Sequence, residues 1–162
     1  MAYATTTQVP VERSRAEIEQ LLARHHCTKF ATGIDHDAHH ATVQFFAHNR
    51  HVKFEITLPD PRDPKYKQIK NRYLQRTQSG VDKLIAQDTR TRWRALLLVI
   101  KAKLEAIESG IATFEDEFLA HVLLPNQETV AEYIGPMVAQ MYETGRMPVG
   151  RRLAAGEVVD GD

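Results

Sequence analysis

Cysteine is almost missing from this chain: Cys27 is the one thiol among 162 residues. It can form no intramolecular disulfide and no cysteine-based zinc knuckle, so stability must come from packing. Long hydrophobic runs are missing too. The longest, Ala95–Ile100, falls far short of the roughly 18–20 residues of a membrane span, so no membrane partner is expected. Met1 to Pro10 has neither the positive start nor the apolar stretch of a secretory signal, which points to a cytoplasmic location. Excess charge of one sign is lacking: 21 Lys and Arg balance 21 Asp and Glu. That excludes a globally basic DNA-coating protein and a globally acidic DNA mimic. The eight glycines are scattered and make no Walker loop, no Gly-x-Gly-x-x-Gly turn and no Gly-x-Ser-x-Gly elbow.

The remaining composition, 43% hydrophobic and 26% charged, is that of a soluble globular protein, and the length suits one domain. The expected organisation is a loose leader over 1–13, one α+β domain over 14–145 and a mobile acidic tail over 146–162. Ser14-Arg15-Ala16-Glu17 reads as a capping box, and Ile18, Leu21 and Leu22 follow at helical spacing, so a helix is expected from Arg15 to about His25. The period then changes to two. Phe30, Thr32 and Ile34, then Val43, Phe45 and Ala47, then Val52, Phe54, Ile56 and Leu58 predict three strands in an antiparallel meander. Asp35-His36-Asp37 and His48-Asn49-Arg50-His51 are the expected turns.

Three or four helices should follow. Asp63 before Pro64 predicts a start, with Tyr66, Ile69 and Tyr73 as a narrow apolar stripe over Lys65 to Arg76 and a break at Ser79-Gly80. Thr89 to Ser109 is expected as the long central helix, its arc of Trp93, Leu96, Leu97, Ile100, Leu104 and Ile107 closed by Gly110. Thr113-Phe114-Glu115-Asp116 predicts a further cap, with a strand as the alternative over Leu119–Leu124. Thr129-Val130-Ala131-Glu132 opens a last helix, bent at Gly135-Pro136 and stopped by Gly145.

Neutrality conceals segregation. Residues 50–103 carry fourteen Lys and Arg against five acids, a net +9, while residues 104–162 carry three Arg against eleven acids, a net −8. Such asymmetry suits an anionic partner or a charge-matched interface. Lys65, Arg72 and Arg76 fall on one flank of the tyrosine stripe, and Lys67 and Lys70 on the other. Arg90, Arg92 and Arg94 surround Trp93. Cations beside aromatics suit phosphate contact with base stacking, so these eight residues are the candidate nucleic-acid or nucleotide-binding set, with Tyr66 and Tyr73 as stacking rings. The competing reading puts the aromatics in the core and lets the lysine stems reach past them to water.

Eight histidines are many for this length. Asp35, His36, Asp37, His39 and His40 crowd one turn with donors suited to a divalent metal, and a metal-dependent hydrolase is one consequence. A solvated turn is the alternative, since no His-Glu-x-x-His helix or Cys-x-x-Cys pair accompanies them. Cys27 beside His25 and His26 is expected to be an inert, buried thiol.

The stretch Arg92-Trp93-Arg94-Ala95-Leu96-Leu97-Leu98-Val99-Ile100-Lys101-Ala102-Lys103-Leu104-Glu105 resembles small uncharacterised accessory proteins of tailed bacteriophages and prophages. The run from Phe114 through Leu124-Pro125 to Thr129-Val130 is similar to them as well. The resemblance implies a bacterial cytoplasm and an accessory role that handles DNA or interferes with a host system. It lends no site residues. The order helix, three strands, helix is also similar to the double-stranded-RNA-binding fold. There His36, His39 and His40 would lie in the β-loop that touches RNA, and Lys65, Lys67 and Lys70 at the helix start. Two expectations from different classes follow. One is a non-catalytic phage-type accessory protein that binds nucleic acid or nucleotide phosphates through the basic 65–94 surface. The other is a protein-interaction module, a self-associating inhibitor of a host defence enzyme, resting on the segregated charge and the wide apolar face of 93–107.

Overall fold

A computed structural model describes residues 4–69 and 75–147. The order is α1 (Val11–Arg24), β1 (Thr28–Asp35), β2 (His40–Ala47), β3 (Arg50–Thr57), α2 (Pro64–Lys67), α3 (Gln78–Glu108), α4 (Phe114–Phe118), a single 3-10 turn (Leu119–His121) and α5 (Val130–Thr144). The α+β class, the antiparallel meander and the long central helix all agree with the reading of the sequence.

The sheet has the order β1-β2-β3. Alternation in β2 buries Ala41, Val43, Phe45 and Ala47, while Thr42, Gln44 and Phe46 turn to the other face. Val43 lies opposite Thr32 on one side and Phe54 on the other, so the three strands share one apolar face. The β2–β3 hairpin closes on just two residues, His48 and Asn49, both at positive φ (48° and 58°). That is the twist that fits a right-handed hairpin, and asparagine tolerates it better than most side chains. The β1–β2 turn is held by the Asp35 carboxylate, which accepts from the Asp37 and Ala38 amides.

Helices cover one face of the sheet. Ile18, Leu21 and Leu22 of α1 meet Trp93, Leu96, Leu97, Ile100 and Leu104 of α3, and both sets join the sheet residues in one core. Phe118 of α4 stands edge-on to Phe45 and Phe54. The apolar arc of 93–107 is therefore interior, with Trp93 wholly buried, and is not an interaction surface.

Four local expectations are corrected. Helix α1 starts at Val11 with Pro10 at its N-cap; Ser14 is buried inside the helix and makes no capping box with Glu17. An earlier start turns Ser14 inward and leaves Glu17 free to reach Arg13 and Arg94. Of the helix expected over Lys65–Arg76, α2 ends at Lys67 after one turn and Gln68 pairs with Gln75, while residues 70–74 lie outside the described residues. No break occurs at Ser79-Gly80: Thr77 caps the Gly80 amide and α3 runs 31 residues from Gln78. The strand considered for 119–124 shrinks to the 3-10 turn and a bridge from Val122 to Val52, which covers the free edge of β3.

Candidate functional site

Among the described residues, most of the cations expected to bind phosphate are engaged in separate local contacts. Arg94 donates to the Glu17 carboxylate at 2.6 Å, and Arg92 donates to the Thr57 carbonyl at 2.6 Å with Asp88 4.0 Å away. Arg90 donates to the Gln87 side chain. Arg76 aims one nitrogen at the Lys65, Tyr66 and Gln68 carbonyls. Lys65 pairs with Asp63 and lies over the Tyr66 ring. Tyr66 is 5% exposed, and its hydroxyl donates to Asp88, so this ring is no stacking platform. Lys67 alone of the described set is exposed with no ion pair. Lys70, Arg72 and Tyr73 lie outside the described residues.

The histidine-rich turn does not converge either. Among the described residues no three His, Cys, Asp or Glu side chains are grouped to hold a metal ion. Asp35 is occupied by backbone amides, which keep its carboxyl below the usual range. His39 turns to Arg62 (3.1 Å) and Asp60 (3.4 Å), away from any shared centre with His36, His40 and Asp37.

Another histidine group does meet. His25, His26 and His48 line a cleft of about 440 Å³ with Cys27, Arg24, Glu108 and Phe114. The His48 ring stacks on Phe114 at 4.6 Å, and His25 approaches Glu108 at 3.7 Å. Cys27 is half-buried here, and desolvation pushes its thiol up to about 11. A thiol so rarely ionised at neutral pH is a poor nucleophile, as expected from the sequence.

The feature that stands apart is α5. Thr129 caps it through a reciprocal pair with Glu132, and Gly145 ends it at φ 64°, where glycine costs nothing. None of its residues is buried. Tyr133, Ile134, Val138 and Tyr142 are exposed, Ile134 by 41% and Tyr142 by 88%, and Met147 just beyond is 80% exposed. The helix touches the rest of the fold chiefly through the 3-10 turn. Between them runs an open groove of about 700 Å³ walled by Leu119, Ala120, Val130, Ala131, Ile134 and Val138, with Glu115 and Asp116 on its rim. Leu119 is itself 53% exposed. Helical apolar spacing was visible in the sequence, but spacing does not say whether a stripe meets its own core. Among the described helices, none is long and apolar enough to cross a membrane, so lipid does not explain the exposed stripe as a span. No family model, no curated protein and no solved structure matches this chain.

Proposed function

We propose that this protein is a non-catalytic protein-interaction module and that it docks its partner on the face formed by α4, the 3-10 turn and α5. The observation that carries the reading is α5 itself: a doubly capped helix, rich in Ile, Val, Met and Tyr, with none of its residues buried. Large contiguous apolar surface on a folded chain favours aggregation unless a partner covers it, and amphipathic helix-in-groove contacts are a common form of that cover. The phage accessory role implied by the sequence resemblance fits the same proposal, as interference with a host protein.

Site-specific photo-crosslinking tests the reading. A crosslinking amino acid at Ile134 is expected to give a discrete protein adduct in producing cells, while one at Lys83, exposed on the N-terminal part of α3, gives none. No adduct at Ile134, or the same adducts at both positions, overturns it.

A second reading, phosphate binding, draws support from one observation: Lys67 is exposed and has no ion pair among the described residues, with the exposed Lys65 and Arg62 near it in sequence. Anisotropy of labelled single- and double-stranded oligonucleotides at low and moderate salt decides it. Binding that weakens steeply with salt supports this reading, and absence of binding at low salt ends it.

A further inference from the structure

The docking reading leaves the partner's chemistry open, and the charge around the groove supplies it. From Leu104 to Gly145 the chain has eight carboxylates and no Lys or Arg over 42 residues. This stretch builds the whole of α4, the 3-10 turn and α5. Three of its acids meet a cation or an imidazole from outside: Lys103 donates to Glu117 at 3.2 Å, His25 lies 3.7 Å from Glu108, and the Lys53 charge bears on Glu132. Asp116 and Glu132 accept from Thr113 and Thr129 in their capping boxes, which favours their charged forms. Glu115 and Glu143 are exposed, with no ion pair among the described residues.

The surface is thus apolar along its floor and negative at its margins. Ala120 and Ala131 contribute small side chains to the groove, and Gly135 contributes none, with nothing within 4 Å of where a Cβ would stand. A partner's side chains can therefore sink close to the α5 backbone. Apart from the Glu132 carbonyl, which Pro136 cannot serve as donor, that backbone is bonded within its own helix, so it offers no ladder for an added strand and contact must be made by side-chain packing. A second copy of this face is a poor occupant. A two-fold pairing would oppose Glu115, Asp116, Glu132 and Glu143 to the same residues of the other copy, and like charges across an interface disfavour it.

We infer that the groove between α5 and the 3-10 turn receives a basic amphipathic helix of another protein, with large aliphatic side chains in the groove and Lys or Arg on its flanks beside Glu115 and Asp116. The inference rests on the docking reading and narrows it to one partner chemistry. Helix α5 spans about 22 Å at roughly 1.5 Å per residue, enough for about four turns of such a helix.

The probe is a labelled synthetic helix of about 18 residues, with leucines at i, i+3, i+4 and i+7 and lysines on its flanks, beside a twin whose flanks are glutamates. Anisotropy is measured with the full chain at low and moderate salt. The lysine peptide is expected to bind at least about tenfold more tightly than its twin, with an advantage that shrinks as salt screens it. The double variant Ile134→Glu/Val138→Glu should lose at least about tenfold in affinity for the lysine peptide. Glu115→Lys should narrow the gap between the two peptides. Equal binding, tighter binding of the glutamate peptide, or binding that survives the double variant each overturns the inference. Absence of lysine-peptide binding overturns it as well. A crosslinked adduct at Ile134 would then leave the docking reading standing with a different partner, and a missing adduct would remove both.

Discussion

Single side chains show why the arginines of the middle third are structural here. Arg94 meets Glu17 across 77 positions of sequence, and Arg92 meets the Thr57 carbonyl across 35. Local spacing placed these residues on helix faces correctly but carries no information about a partner so distant along the chain. The Arg94 hydrogen bond is the largest cause that lowers the Glu17 carboxyl below its ordinary value. A lowered folded-state value means stability that is present above the ordinary carboxylate range and is lost as pH falls through the lowered value. Arg94→Ala should therefore cost about 0.5–1 kcal/mol at neutral pH, as partly exposed ion pairs do. In urea denaturation, the gap to wild type should close on acidification below the carboxylate range; a gap that stays constant to low pH contradicts the assignment. Cys27 offers a second test. Raised from 9.0 to about 11, its thiol should react with an alkylating reagent at pH 8 about a hundredfold more slowly in the folded chain than in denaturant, since the thiolate is the reactive form. Equal rates would show that the cleft does not desolvate it.

At the scale of elements, what the sequence made legible were features set by near neighbours. Both Thr-initiated caps, Thr113 with Asp116 and Thr129 with Glu132, form as their spacing predicts, and Gly145 takes the left-handed stop. The period-2 strands are legible for the same reason, because Val43, Phe45, Val52 and Phe54 each bury every second position. Failures came where tertiary packing outweighed a local signal. Ser14 satisfies the capping pattern, yet it sits one turn inside α1, where it lies against the core. The tyrosine stripe at Tyr66 suggested a long helix, yet α2 ends at Lys67 with Gln68 extended, and Arg76 donates to three carbonyls of this segment. Because α5 lies outside the core, its cap stabilises the helix alone. Thr129→Ala should cost about 1 kcal/mol, read as faster amide hydrogen exchange within α5 while α3 is unchanged. Faster exchange across both helices would tie α5 into the cooperative core.

For the whole molecule, the structure divides apolar surface into two populations. One closes around Trp93, Phe45, Phe118, Ile18 and Ile100, all essentially inaccessible to water. The other stays open and gathers on α5 and Leu119, apart from scattered exposed side chains such as Ile34, Leu84, Val99 and Ile111. A hydrophobic stripe looks the same in sequence in both cases, which is why the exposure of α5 was not legible and the core was. The segment from 104 to 145, which has no Lys or Arg, supplies both populations, with Leu104, Phe114 and Phe118 in the core and Ile134 and Val138 outside it. The second population does not hold the fold together. The most direct measurement is urea unfolding of Ile134→Glu/Val138→Glu beside wild type, followed by the fluorescence of Trp93, the chain's one tryptophan. The account predicts stabilities that agree within about 0.5 kcal/mol, as for surface substitutions. A loss of about 3 kcal/mol or more, the scale of charges forced into a core, would place α5 among the packed elements and contradict it.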